Sequence, residues 1–376
     1  MILSDISLQQ EKDYSKLECL LDGNSIYFTL SHINSNISLV YDAFVVALIP
    51  LLLEKQEDIV VQGTMDDVLC KQLNDVLIPR LCQVNKIAIT LKVIPDVTEN
   101  AIALNKQVNA TGLSCGVDSL ATVKYFFDNA IGLDYLTFFD AGSHGIYNGN
   151  YAKENYEYRL NNSERAATTI GLPLVKVKTN AHSFIRGSFE SAHSFLNISC
   201  SLATLGLINN YHYASAYAVS QSNFKPGDTS NFDNFLLPLL FTSYFNTHST
   251  LQTKTRLERI SYIQHYDVAN AYLDICTNSI LAKKMNVQNC TSCDKCLRTA
   301  ATLELYDSLS RFDKVFDLNI YHSKIDNYIA KLISKKVSIH EREFLDSWLK
   351  ENKITTLQYW KAFKLRAKRV ISRIGS

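Results

Sequence analysis

The chain has 376 residues, 47% of them hydrophobic, which is ample for a core and long enough for two or three structural units. Its 38 basic and 37 acidic side chains leave a formal net charge of +1, so no global field draws it to nucleic acid and any polyanion contact must be local. The N-terminal MILSDISLQQEKDY lacks the basic-then-apolar order of a secretory signal. The longest apolar run, Ala43 to Leu53, is interrupted by Pro50 and falls short of the roughly 20 residues a spanning helix needs; a cytoplasmic location is expected.

In chain order, residues 1–104 read as a small mixed α/β domain. Strands are expected at Ser25–Leu30 and Ile59–Gln62, a buried helix at Ala43–Leu53, a helix at Met65–Leu81 and a further strand at Ile87–Val93. From Gln107 the pattern alternates: strand Val108–Leu113, helix Asp118–Asn129, strand Asp134–Phe139, helix Asn155–Ile170, strand Leu174–Lys178, helix Phe195–Asn209, then apolar His212–Ala218. Such alternation calls for an α/β fold with an open parallel sheet covered on both faces. Residues 105–310 are assigned to that domain and 311–376 to a helical, charged C-terminal extension.

Between the first strand and helix of the alternating region stands LSCGVDSLAT, residues 113–122. In an open parallel sheet ligands gather where strand ends meet helix N-termini with free N–H groups. Gly116 would let a ligand approach the backbone, Ser114 and Ser119 offer hydroxyls, and the exposed amides suit phosphate oxygens. Asp118 would repel a bare phosphate, so a bridging Mg²⁺ is expected there. The same six residues also suit a plain strand-to-helix turn capped by Asp118 or Ser119. The stretch is neither a Walker A motif nor a dinucleotide GxGxxG.

Nine cysteines are spread unevenly: Cys19, Cys70, Cys82, Cys115 and Cys200 stand apart, whereas Cys276, Cys290, Cys293 and Cys296 cluster. The spacing C-x13-C-x2-C-x2-C gives four soft ligands suited to a closed, tetrahedral, structural Zn²⁺ site, with an iron–sulfur cluster as the competitor.

Two resemblances follow. Ser114-Cys115-Gly116-Val117-Asp118-Ser119 resembles the SGGxDS signature of PP-loop ATP pyrophosphatases, with Cys115 in place of the first glycine. NCTSCDKCLRT, residues 289–299, is similar to the CGxCxxCxxR segment of 7-cyano-7-deazaguanine synthases, members of the same superfamily that carry a structural four-cysteine zinc. The likeness covers about residues 107–305 and is carried by these two motifs; the first zinc cysteine lies further upstream than in those synthases, and their VPGRN-type segment is not seen. It implies a fold of the adenine nucleotide α-hydrolase (HUP) type, in which the loop holds the pyrophosphate of ATP while a substrate oxygen attacks the α-phosphate.

Other positions are weighed beside this frame. Asp140, Gly142 and His144 follow the second strand, where the resemblance implies nucleotide or substrate contact, though an ordinary glycine-rich loop gives the same residues. Of Lys254 and Arg256, in the stretch where the synthases carry a basic motif, Arg256 is preferred as stabiliser of the departing pyrophosphate. Arg186 and Arg298 are candidates for binding an acidic substrate, with surface arginines as the default. Cys200 is read as a structural cysteine that would serve sulfur transfer only if exposed. At the C-terminus Trp360, Phe363, Ala367, Val370, Ile371 and Ile374 recur at helical spacing against Lys361, Lys364, Arg366, Lys368, Arg369 and Arg373. Residues 357–376 therefore suit either packing on their own domain, which is preferred, or peripheral contact with an anionic membrane.

The functional expectation is an ATP-dependent ligase. It adenylates a carboxylate or amide oxygen of a small molecule, releases pyrophosphate, and lets an amine displace AMP, with Asp118, Ser119 and Arg256 as the catalytic set. ATP, Mg²⁺ and structural Zn²⁺ are the expected cofactors, a small acid or amide the partner, nucleic acid is not expected, and homo-oligomerisation stays open. The alternatives are a PP-loop sulfur transferase and a catalytically inactive partner protein.

Overall fold

The computed structural model describes residues 1–31, 39–100, 106–277 and 279–374, the side chains at 279, 280 and 370–374 excepted. The chain forms two units: Met1–Leu113 with Tyr125–Thr253, and Ser114–Lys124 with Lys254–Ser376. This grouping cuts across the segments read in the sequence, and the boundary at 104/105 lies outside the described residues.

The first unit holds ten strands: β1 Ile2–Gln10, β2 Ser15–Leu21, β3 Asn24–Leu30, β4 Ile59–Asp66, β5 Val93–Glu99, β6 Asn109–Gly112, β7 Tyr135–Asp140, β8 Leu174–Thr179, β9 Asn210–Tyr213 and β10 Asn246–Ser249. They form one sheet in the order β10-β9-β6-β7-β8-β3-β2-β1-β4-β5. Pairing is parallel from β10 to β8 and from β1 to β5, and antiparallel across β8, β3, β2 and β1. The fold is thus α/β with a large, mostly parallel sheet. The expected alternation over 107–218 is present, but the sheet does not stop where the N-terminal segment ends. Phe28 pairs with Thr179, and Asn180 staples the junction by accepting from Tyr27 N–H at 2.9 Å and donating to Ser25 carbonyl at 2.9 Å.

Local chemistry explains the strands that the apolar pattern did not reveal. Asp22 and Gly23, at φ of 48° and 79°, make the two-residue turn that folds β2 onto β3. The strand expected at Ile87–Val93 begins only at Val93, because Asn74 brackets that residue's backbone at 2.9 and 2.8 Å and so starts the register Ile59↔Val93. β5 carries Pro95 and closes one end of the sheet, the place where a strand tolerates proline.

Helices α1 Asp42–Lys55, α2 Asp67–Gln72, α3 Ile78–Val84, α5 Asn150–Ile170, α6 Phe189–Leu202 and the short α7 Asp233–Leu236 belong to the first unit, while α4 Val117–Asp128 begins in the second. The expected helix Met65–Leu81 is α2 and α3 joined by a π turn, Leu73–Leu77. α1 is apolar all round because it is buried all round, with Phe44 to Ile49 at 0% exposure. Its one buried acid, Asp42, accepts from Asp66 N–H at 2.9 Å and from Tyr244 hydroxyl at 2.9 Å.

The second unit adds α8 Arg256–Ile263, α9 Asp267–Tyr272, α10 Ser279–Lys284, α11 Asp294–Leu305, α12 Leu318–Ser334, α13 Ile339–Lys350 and α14 Thr356–Ile374. The segment after 310 is helical as expected, and α12 packs on α11 and carries α14. Among the described residues no helix is long and apolar enough to cross a membrane.

Candidate functional site

β6 ends at Gly112, and two residues later the chain enters the second unit. Ser114 is exposed, Ser119 is buried, and their hydroxyls stand 3.2 Å apart. Ser119 Oγ donates to Gly116 carbonyl at 3.1 Å, and Gly116 N–H points to Ser114 Oγ at 3.4 Å. The loop closes on itself through hydroxyls and leads into the first turn of α4, whose N–H groups have no intrahelical acceptor. A methyl group added at Gly116 would sit 3.4 Å from Ser114 Oγ, an ordinary van der Waals contact, so the loop has room for a side chain at this position.

Cys115 occupies the position of the missing glycine with a φ of 56°, in the left-handed region. A side chain there costs about 1 kcal/mol relative to glycine. The thiol is fully buried and does not meet solvent. What fixes the strained residue is a hydrogen bond from Asp274 N–H to Cys115 carbonyl at 2.8 Å.

Opposite the loop, a capping box starts α8: Thr255 N–H donates to Glu258 Oε2 at 2.7 Å and Glu258 N–H donates to Thr255 Oγ1 at 3.4 Å. With the helix start fixed at Arg256, Arg256 and Arg259 share a face. Arg256 Nη2 lies 2.7 Å from Asp118 Oδ2, and Arg259 Nη1 donates to Asp118 Oδ1 at 2.8 Å. Arg259 is only 1% exposed. Both carboxylate oxygens of Asp118 are therefore engaged by guanidinium groups.

His340, near the start of α13, lies in the electrostatic field of Arg256, Arg298, Asp118 and Arg259. Burial first, then the charges of Arg256 and Arg298, push its imidazole down to about 3, with Asp118 pulling the other way. At neutral pH Asp118 thus meets two guanidinium groups, with Arg298 and an uncharged imidazole in the same field. Lys254 stands apart from it, its ammonium 5.7 Å from the centre of the Tyr262 ring.

The four clustered cysteines meet as their spacing requires. Their sulfurs lie within 4.8 Å of one another, with Cys290 and Cys296 at 3.9 Å, close to the roughly 3.8 Å between sulfurs about 2.3 Å from a shared tetrahedral ion. Cys293 caps α11 and Cys296 lies in its first turn, where the helix dipole favours thiolates. Cys293 N–H and Ser292 hydroxyl both donate to Cys290 sulfur, at 3.4 and 3.5 Å. Hydrogen bonding to Cys276 and Cys296 holds Cys293 well below the usual thiol range, and hydrogen bonding to Cys296 brings Cys290 down to about 5. Cys276 and Cys296, the donors, are pushed up. The donor set fits a metal ion, which would replace the shared protons.

The loop and the cysteines are joined by one buried side chain. Asn289, at 0% exposure, accepts from Ile275 N–H at 2.9 Å and donates to the carbonyls of Leu273 and Val315 at 2.8 and 3.0 Å. Residues 273–276 thus run from a bond to Asn289, through the amide that holds Cys115, to the first of the clustered cysteines.

The remaining expected site residues fall in the first unit. Asp140 ends β7, where burial raises its carboxyl and Lys178, its strand partner, opposes the rise. Gly142, at φ of 103°, admits His182 so closely that a methyl group would lie 3.1 Å from its Cβ. His144 is 5% exposed, stacked on Phe138 at 5.5 Å and edge-on to Tyr156 at 5.3 Å, with Nε2 3.3 Å from Phe139 carbonyl. Burial first, then Arg159, push it down to about 4. It is a packed, neutral imidazole. Arg186 is exposed on a loop whose amides at 186 and 187 hold Glu54 at 3.0 and 2.7 Å. Cys200 is fully buried and its thiol is raised by burial.

Sequence reasoning brought Asp118, Arg256 and Arg298 into consideration but missed Arg259, Asn289, Asp274 and His340. For Arg259 the signal was present: the Thr255–Glu258 box sets the helix phase, and phase decides which arginines share a face.

Three outcomes are expected. The purified protein should carry one equivalent of a thiophilic metal, and Co²⁺ loading should give the intense sulfur-to-cobalt absorption of a tetrahedral four-thiolate site, lost in Cys293→Ser. Asn289→Ala strands three buried backbone groups and should lower unfolding stability by about 3 kcal/mol, with faster metal loss to a chelator. For His340, folded near 3 against an ordinary value of 6.5, the unfolded chain binds the extra proton between those values. Its contribution is complete above about pH 6.5 and is lost as pH falls toward 3, so His340→Gln should flatten the acid-side decline measured by denaturant titrations across that window.

Comparison of the chain with protein-family models, with curated proteins and with solved structures yields no match.

Proposed function

We propose that this protein is an ATP-dependent, AMP- and pyrophosphate-forming ligase of the PP-loop type, with a sheet of the adenine nucleotide α-hydrolase kind and a structural Zn²⁺ on Cys276, Cys290, Cys293 and Cys296. The observation that carries the reading is the pair of guanidinium groups at the SCGVDS loop: Arg256 and Arg259 on Asp118, with Arg298 and His340 in the same field. A cluster of this charge facing a hydroxyl-lined turn and a helix start suits a polyphosphate.

In the proposed reaction a carboxylate or amide oxygen of a small molecule attacks the α-phosphorus of ATP. The bond from that phosphorus to the bridging oxygen breaks, pyrophosphate leaves, and an amine then displaces AMP as the C–N bond forms. Arg256, less buried than Arg259, is assigned to charge developing on the departing pyrophosphate. Arg259 positions Asp118 and, through it, the first turn of α4. The Mg²⁺ expected at Asp118 meets a carboxylate whose oxygens both already accept from arginine, so charge neutralisation is assigned to the arginines. Sulfur transfer is disfavoured because eight of the nine cysteines are buried and the ninth, Cys293, belongs to the four-sulfur cluster.

The inactive-partner reading draws support from the same ion pairs, which would hold a disused loop in shape. Calorimetric titration of ATP, with and without Mg²⁺, into zinc-loaded wild type and Arg256→Ala separates the two. Binding to wild type that weakens at least tenfold, about 1.4 kcal/mol, in the variant supports the ligase and justifies screening small acids for AMP release. Absence of binding to wild type overturns it in favour of the inactive partner.

A further inference from the structure

α14 packs on α12 through one face and leaves a second, aromatic face uncovered. Gln358 and Ala362 are 3% and 2% exposed, and Gln358 Nε2 donates to Asp326 Oδ1 at 2.8 Å. Further along, Arg369 donates to Ser334 carbonyl at 2.8 Å, and Arg366 to Ile333 carbonyl. Positions 358, 362 and 369 therefore define the inward face. At about 100° per residue, Leu357, Trp360 and Phe363 lie on the opposite side, and they are 47%, 53% and 70% exposed. The helix packs on its own unit, as preferred from the sequence, but through positions 358, 362 and 369 and not through Trp360 and Phe363, on which that expectation rested. The side chains of Val370, Ile371, Arg373 and Ile374, counted in that expectation, lie outside the described residues.

An uncovered Trp-Phe-Leu row needs a partner whose chemistry matches its border. α14 holds six basic residues and no acidic one. Lys364 lies over the Trp360 ring, 3.3 Å from its centre, and Lys361 and Lys368 stand on the same flank by helical phase. Of these three lysines, Lys361 leans back on its own unit, toward Asp326 at 3.7 Å. A nucleic-acid backbone would satisfy the lysines but leave the aromatic row in water. An anionic bilayer satisfies both, because an apolar ridge enters the acyl boundary by roughly 5–10 Å while lysine ammonium groups reach the phosphates.

We propose that the Leu357–Trp360–Phe363 face of α14, bordered by Lys364 and Lys368, docks this protein on the surface of an anionic phospholipid bilayer. The helix lies in the interface plane and does not span. This surface is independent of the ligase reading and stands or falls without it.

The test uses the full-length, zinc-loaded chain with vesicles of phosphatidylcholine containing phosphatidylglycerol, against phosphatidylcholine alone. Wild type is expected to float with the anionic vesicles only, with a blue shift of tryptophan emission and quenching by lipids brominated near the carbonyl end of the acyl chain. Trp360 dominates that response, since the other tryptophan, Trp348, is 4% exposed. Trp360→Ser with Phe363→Ser, and separately Lys364→Glu with Lys368→Glu, change exposed positions and should each lower vesicle partitioning about tenfold or more, with thermal unfolding unchanged. Equal partitioning of either double variant overturns the proposal. So does absence of flotation, burial of Trp360 in a lipid-free dimer that excludes vesicles, or binding confined to a duplex RNA added as competitor.

Discussion

The second unit depends on how residues 273–276 are held. This short extended stretch has no regular element of its own, yet its amide at Asp274 fixes the left-handed Cys115 and its last residue is the first of the clustered cysteines. Asn289 satisfies the stretch from the other side with three buried hydrogen bonds. A carboxamide suits this task because it donates and accepts in fixed, planar directions. Loop geometry and sulfur geometry thereby become one rigid problem, and a metal at the cysteines would brace a turn several residues away without touching it.

The electrostatics follow from that bracing. Arg259 is almost wholly excluded from water, a placement that is costly for a cation unless a carboxylate meets it. Asp118 meets it and at the same time takes Arg256, so one acid organises two guanidinium groups at the helix start. Arg298 lies in the same field, and His340, held low by burial and by these arginines, contributes no charge there at neutral pH.

What the sequence disclosed was local. SCGVDS and the four cysteines are short-range patterns in which residue type and spacing contain most of the information, and the structure brings the cysteine sulfurs together. The alternation of strands and helices after Gln107 was legible for the same reason: each element is long enough to show its period. What stayed hidden depends on distant partners. β1 and β2 are strands because they pair with each other and with β3, although the Asp22-Gly23 turn was a signal that could have been read. His144 looked chemical in its glycine-rich loop, yet its aromatic packing against Phe138 and Tyr156 comes from two separate elements. Asn289, which precedes Cys290, drew no reading of its own from the sequence, and its carbonyl partners at Leu273 and Val315 reveal its work.

The interleaving of the two units also sets an order of events during synthesis. Ser114–Lys124 emerges from the ribosome with the strands of the first unit, but the residues that hold it, from Lys254 onward, follow roughly 130 residues later. At about 5–20 residues per second, that is a delay of roughly 6–26 s. During this interval Cys115 lacks the amide that fixes its backbone and Asp118 lacks both arginines. The loop's final shape is therefore conferred by the distal part of the chain, which is made last.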